Sequence, residues 1–374
     1  MSIEIQRIVL REIALPLKEP FRISSGVQTV RRILLVQLFS DGAEGWGECP
    51  AGELPNYSPE SVDTAWQAVR LWLAPRLLGR AFAAPEEVFP VLDANIRGHH
   101  MAKACLEMAS YELAARQSGE PLAALLGGER RTIEVGISLG IQESTTALVE
   151  RARASLERGY RKVKVKIMPG RDLADLRAVR MALGPGAPIM ADANNAYTLK
   201  DLGLFRRLDD LGLMMIEQPL AWDDLLRHAE LQRQLRTPLC LDESITGPDR
   251  AEDALALGSG RIVNIKPGRV GGFRQSRAVH DICAQGGVPV WCGGMLESGV
   301  GRAHNVALAS LPNFQLPGDL SPSERYWEQD IVEPAWTMDA EGRMTVPWDR
   351  PGMGVEVDLD RVEALTVRKE EITR

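Results

Sequence analysis

The sequence predicts an α/β chain, a parallel β/α barrel joined to a smaller α+β domain, and three observations carry that prediction. From about residue 131, short β-branched or apolar runs alternate with charged stretches of helical period. Polar residues close successive runs at nearly constant spacing, the steps from Lys166 to Asp192, Glu217, Asp242 and Lys266 being 26, 25, 25 and 24 residues. The first 130 residues lack that rhythm and read as antiparallel strands followed by helices. A doubly wound open sheet would share the alternation, but it is set aside because no glycine-rich first βα turn occurs.

The α+β domain, residues 1–130, opens with IEIQRIVLREIALPL and ILLVQLFSDGAEGWGECP, which alternate as strands around an SDG turn. AWQAVRLWL and MAKACLEMASYELAAR then follow helical period. The barrel, residues 131–324, takes its strands from IEVGISLG at 133, KVKVKI at 162, PIMAD at 188, LMMIE at 213, PLCLD at 238, RIVNIK at 261 and PVWCGG at 289. ALVERARASLERGY and WDDLLRHAELQRQL are amphipathic helices between them. The tail, 325–374, returns to strand and turn chemistry in EGRMTVP and GMGVEVD and is expected to complete the first domain.

Composition narrows the partner. The 374 residues are 45% hydrophobic and 25% charged with a net charge of −7, and no basic run exceeds RKVKVK, so a small-molecule partner is expected rather than nucleic acid. No stretch of 18 apolar residues marks a membrane span, and charges at Glu4, Arg7, Arg11 and Glu12 interrupt any signal-peptide core. Five scattered cysteines without a CxxC pair predict buried free thiols in the cytoplasm.

Only eight of the 44 basic residues are lysines, yet Lys162, Lys164, Lys166 and Lys266 fall in two short apolar runs where solubility needs no charge. Asp192, Glu217 and Asp242 each end a strand, which places them at the catalytic rim of a barrel. Three converging carboxylates call for a hard divalent cation, Mg²⁺ before Mn²⁺, although each acid alone could cap a helix. Lys164 and Lys166 are two apart and share a strand face. With Lys166 on strand two and Lys266 on strand six, the chain sets one base on each side of a metal-bound substrate. That suits proton removal beside a carboxylate, for which a lysine pKa must fall from about 10.4 toward about 7 to 8. Lys164 beside Lys166, Arg269 beside Lys266 and the metal's charge would depress it. Salt bridging to the acids without a metal is the bland alternative.

KVK, ADAN, IEQP, LDES and NIKPGRVGG in this order resemble the enolase superfamily in its muconate lactonizing enzyme subgroup. SLGI, IEQPLAWDDL, PLCLDESIT, WCGGMLESGVGRAHN and LPGDLSPSERYW are most similar to the N-succinylamino acid racemase / o-succinylbenzoate synthase family. The resemblance implies a modified TIM barrel, (β/α)7β, with an α+β N-terminal capping domain completed by C-terminal residues. It implies that Asp192, Glu217 and Asp242 hold Mg²⁺, that Lys166 and Lys266 are the acid/base pair, and that Lys164 meets the substrate carboxylate. Ser138, Asn194, Gly293, Gly294, Met295, Phe21 and Tyr57 complete the substrate set it implies, with Glu243 and Arg269 in support. Gly26 lies in the same cap-loop region as Phe21. Ser25 replaces the phenylalanine of the family's FR-x-SFG cap loop, which puts the preferred side chain or acyl group in doubt.

The expected activity is racemisation of N-acylamino acids, N-succinyl ones especially, or o-succinylbenzoate synthesis by dehydration, or both, on either the menaquinone pathway or D-amino acid conversion. A muconate-type cycloisomerase and a dipeptide epimerase are the enzyme alternatives. The epimerase reading leaves Asp319 as the only acid for a dipeptide's amino group. A non-catalytic barrel that binds ligands is the alternative of another class. His304, with no paired Asp, reads as structural. A homo-oligomer is expected, a dimer or octamer by the resemblance.

Overall fold

The computed structural model describes residues 3–23 and 26–374, and the side chains of all of these except 21–23 and 26. Seven parallel strands lie side by side in chain order: Gly136–Leu139, Lys162–Lys166, Ile189–Asp192, Ile216–Glu217, Leu239–Leu241, Ile262–Ile265 and Val290–Cys292. The sheet curls until its edges meet residues 314–319. Phe314 bridges Val290 on one side and Gly318 bridges Val135 on the other, both in parallel sense. Gly136 N donates to Gly318 O at 2.6 Å and Asp319 N to Cys292 O at 2.9 Å. This short segment is the eighth strand position, too irregular to show period-two alternation in the sequence.

Helices follow the strands where the sequence caps them. Ser144 accepts from Ala147 N to start Thr145–Glu157, and Asp224 accepts from Arg227 N to start Leu225–Gln232. Their apolar faces pack on Val163, Val165, Ile189 and Leu239, so the barrel wall is a continuous core.

The N-terminal domain is a four-stranded antiparallel sheet in the order Thr366–Thr373, Arg7–Ile23, Gly26–Ser40, Ala43–Cys49. Asp41 and Gly42 turn the last hairpin with φ of 45° and 79°, the left-handed pair that a type I′ turn requires. Helix His100–Ser118 lies directly on strand Ala43–Cys49 because that strand carries Gly45 and Gly47; a Cβ at Gly47 would stand 1.9 Å from Cys105 O. Of the tail, Thr366–Thr373 joins this sheet, whereas Arg343–Thr345 pairs with Thr132–Glu134 at the entrance to the barrel.

Two buried carboxylates brace the N-terminal domain against the barrel. Glu107 accepts from the backbone N–H groups of Phe273 and Arg274, both at 2.8 Å, and so caps helix Phe273–Gln285. Glu48 accepts from Ser298 N at 3.0 Å and Gly301 N at 2.9 Å at the start of helix Gly299–Ala309. Helix N-termini favour such acceptors, while burial pushes Glu48 up to about 7 and Glu107 up to about 8. The bracing fixes the loop after Cys49, and with it Tyr57, over the open end of the barrel. His304 is fully buried, edge-on to Phe273 at 5.5 Å, with its pKa pushed down to about 3 by burial, and stays neutral.

Candidate active site

Register explains why the charged residues meet. Lys164 pairs with Ser138 and Met190, and Lys166 with Asp192; Asp192 in turn pairs with Glu217, and Glu217 with Cys240. Strand alternation turns Lys162, Lys164 and Lys166 to one side, the barrel interior. Three strands separate Lys166 from Lys266 in the sheet order. Both lysines line a single cavity of about 430 Å³ at the strand C-termini.

Each acid is held by a cation. Lys166 Nζ donates to Asp192 Oδ2 at 2.7 Å and to Asn194 Oδ1 at 2.6 Å, while Asn194 N donates to Asp192 Oδ1 at 3.0 Å. Lys164 Nζ lies 2.9 Å from Asp192 Oδ2 and 2.6 Å from Glu217 Oε2. Lys266 Nζ donates to Asp242 Oδ2 at 2.7 Å, and Arg269 bonds the other oxygen of Asp242. Tyr57, descending from the N-terminal domain, donates its hydroxyl to Asp242 at 2.8 Å and accepts from Lys266 and Arg269 at 3.1 Å each.

Burial opposes ionisation of all three acids, and the neighbouring cations decide the outcome. Lys164 and Lys166 hold Asp192 well below the usual carboxylate range, and Lys266 and Arg269 hold Asp242 down at about 2. Glu217 goes the other way: burial and the charges of Asp192 and Asp242 push it up to about 7. Its Oε1 accepts from Asn264 Nδ2 at 2.8 Å, but its Oε2, though close to Lys164, has no aligned hydrogen bond. Lys266 is raised, because the attraction of Asp242 exceeds the desolvation that would lower it. Base chemistry calls for a lowered lysine pKa, whereas in this arrangement the carboxylates hold Lys266 as an ammonium. Among the described residues, no three acidic, histidine or cysteine side chains converge closely enough to hold a metal ion as they stand. The donors nonetheless fit a hard divalent cation: they are all oxygen, and one buried carboxylate oxygen waits for a partner.

Lys164, Ser138, Asn194, Gly294, Met295 and Tyr57 all line the cavity. Glu243 does too, tied to Asn195 Nδ2 at 2.9 Å. Gly293, expected in the substrate set, is not among the residues lining the cavity: a Cβ there would stand 2.3 Å from Asn264 Oδ1 and 2.6 Å from the Cε of Lys266, so it clears the path of the lysine stem. Phe21 pairs with Gln28 and Gly26 with Ile23 in the first hairpin; the Phe21 side chain and Ser25 lie outside the described residues. Asn264, two residues before Lys266 and therefore on the same strand face, is a site residue absent from the sequence-based set. So is Gln218, whose carbonyl accepts from Asp242 N at 2.9 Å. Alternation would have found the first; the second depends on a left-handed backbone, φ 37°, that IEQP does not announce.

The N-terminal third, residues 5–127, matches the Mandelate racemase / muconate lactonizing enzyme N-terminal domain, and residues 147–362 match the Enolase C-terminal domain-like family. An N-succinylamino acid racemase of Thermus thermophilus is 50% identical over 97% of each chain. An o-succinylbenzoate synthase of Geobacillus kaustophilus is 49% identical over 98% of this chain and 97% of its own. A crystal structure of an enolase-superfamily member from Listeria innocua superposes with a TM-score of 0.95 at 39% identity over 99% of both chains. A barrel closed by an N-terminal sheet domain thus has its counterpart in sequence and in shape, and the chain belongs to the enolase superfamily of enzymes.

Proposed function

We propose that this enzyme racemises N-acylamino acids, with N-succinyl substrates foremost, and that the same site carries out o-succinylbenzoate synthesis with Mg²⁺ as cofactor. The observation that carries the reading is the placement of Lys166 and Lys266 on strands two and six, facing one cavity with three carboxylates on the strands between. Asp192, Glu217 and Asp242 are the residues that would hold Mg²⁺. Bound there, it would supply the positive charge that offsets an enediolate and weakens the carboxylate field now retaining the proton of Lys266.

The chain's own groups account for the remaining steps. Lys164, already poised between acids, binds the substrate carboxylate. One of Lys166 and Lys266 accepts the α-proton onto Nζ, and the opposite ammonium returns a proton to the other face, which inverts the centre. In the dehydration Lys166 would remove the proton and then protonate the departing hydroxyl, while Lys266 stays an ammonium beside the enolate. Tyr57, Asn194 and Arg269 keep the two nitrogens on station.

Substrate choice is read from the cavity mouth, where Val27, Val30, Leu54, Met295, Leu296 and Tyr326 form an apolar side. Val27 and Leu54 are more than half exposed, 54% and 63%, an apolar surface that a hydrophobic amino-acid side chain would cover. Five reduced cysteines support a cytoplasmic setting, and a homo-oligomer is the assembly we expect from light scattering.

The test is proton NMR of N-succinyl-L-phenylalanine with enzyme and Mg²⁺ in D₂O, beside an ultraviolet assay for o-succinylbenzoate. Loss of the α-proton signal with growth of the D-enantiomer, and product in the second assay, are the expected results. Exchange of neither substrate would refute the reading. Dehydration without exchange would leave a dedicated synthase.

A further inference from the structure

Strand two carries one more buried cation than the proposed reaction uses. Lys162 is fully buried beneath the cavity, its Nζ 3.4 Å from the centre of the Trp291 ring and 3.1 Å from Asp319 Oδ1. A fully buried ammonium is retained only where an anion or an aromatic face replaces its water, and Lys162 has both. Its stem fits because residue 136 is glycine; a Cβ there would stand 2.7 Å from the Cε of Lys162. Asp319 is fixed in turn by its backbone, which donates to Cys292 O at 2.9 Å. Its second oxygen, Oδ2, lies 3.1 Å from Lys164 Nζ.

Lys164 therefore touches three carboxylates, and Asp319 is the one outside the proposed cation ligands. Two positive charges cannot both occupy the space between Asp192 and Glu217, where the ammonium now lies 2.9 and 2.6 Å from their oxygens. A divalent ion on those acids requires Lys164 to give up both contacts while staying buried. We infer that Asp319 is a positioning residue that retains the displaced Lys164 ammonium, while Lys162, resting on the Trp291 ring, competes for the same carboxylate. This rests on the metal reading above. Asp319 so placed makes the exchange of an ammonium for a metal ion possible without leaving a buried charge unpaired, and it holds Lys164 where the substrate carboxylate arrives.

Calorimetric titration of the intact protein with Mg²⁺ tests it without recourse to activity. Asp319→Asn keeps the shape and removes the charge, and Mg²⁺ binding should weaken about 10- to 100-fold, the loss expected when one charge-assisted contact disappears. Lys162→Met should act in the opposite sense, leaving affinity unchanged or tighter, because Asp319 then serves Lys164 alone. In a Lys164→Met background the effect of Asp319→Asn should vanish. Unchanged binding by Asp319→Asn, weakening by Lys162→Met, or an undiminished Asp319 effect without Lys164 would each overturn the inference, the last pointing to bulk charge instead. Should Asp319→Asn fail to fold by near-ultraviolet circular dichroism, the sign of the Lys162→Met effect decides. Absence of Mg²⁺ binding by the unaltered protein would overturn the metal reading itself, and this inference with it.

Discussion

Tyr57→Phe isolates what the N-terminal domain contributes to catalysis. The substitution keeps the ring, whose centre lies 4.4 Å from Lys266 Nζ, and deletes the hydroxyl alone. That hydroxyl is bonded to three charged groups: Asp242 at 2.8 Å and Lys266 and Arg269 at 3.1 Å. Asp242 keeps both of its cations after the change, but Lys266 keeps Asp242 as its one hydrogen-bond partner among the described residues. A hydrogen bond to a charged group contributes about 1.5–3 kcal/mol, so kcat/KM should fall about 10- to 150-fold. The loss should also be unequal. Lys166 bonds Asp192 and Asn194 and makes no bond to Tyr57, so exchange of the enantiomer that Lys166 deprotonates should suffer less. Deuterium exchange of N-succinyl-L- and N-succinyl-D-phenylalanine, followed separately by NMR, reads both quantities. Rates within twofold of the unaltered enzyme, or equal losses for the two enantiomers, would refute a role through Lys266.

Lys166→Ala and Lys266→Ala should each lower racemisation by at least about 100-fold with the thermal midpoint little changed, since general-base catalysis is worth that much; substantial turnover by either variant contradicts the two-base mechanism. Asp242→Asn should weaken Mg²⁺ binding more than about tenfold by calorimetry, and unaltered affinity would remove Asp242 from the ligands. Asp209 supplies a pH test far from the site. Burial raises its carboxyl, but the N–H groups of Thr237 at 2.6 Å and Arg236 at 3.1 Å outweigh that and hold it at about 2, against an ordinary 3.8. A depressed carboxyl stabilises the fold fully above its unfolded value and loses that contribution as pH falls toward its folded one. Asp209→Asn should therefore cost about 1–2 kcal/mol in urea unfolding at pH 7, a gap that narrows below pH 4; a gap constant down to pH 3 would show that the charge is irrelevant.

The parts of this molecule that were legible in advance are those where one local rule acts on one strand. Period-two alternation put Lys164 and Lys166 on one face, and the spacing of Asp192, Glu217 and Asp242 placed them at the ends of adjacent strands, Asp192 pairing with Glu217 and the strand before Asp242 pairing with that of Glu217. The SDG turn needed only the left-handed tolerance of Asp41 and Gly42. What escaped depends on contacts between distant segments. The eighth strand position consists of a few residues bridging two edges, with no pattern of its own. Gly293 looked like room for substrate because nothing in a sequence shows that a lysine stem from the neighbouring strand crosses it. The raised pKa of Lys266 depends on Asp242, a charge 24 residues away in the chain and 2.7 Å away in space.

The two domains divide the labour along a physical line. The barrel contributes Lys164, Lys166, Lys266 and the three carboxylates between the last two, each on a strand or one residue past its end. The N-terminal domain contributes the apolar mouth at Val27, Val30 and Leu54, on a hairpin and a loop outside the barrel sheet. Tyr57 crosses that line, since it comes from the N-terminal domain yet bonds charged groups of the barrel. Its position is guaranteed by the buried carboxylates of Glu48 and Glu107, which tie the N-terminal domain to the ends of two barrel helices. A domain that only covered the cavity would need no such ties; one that delivers a hydroxyl to within 3.1 Å of the Lys266 ammonium does.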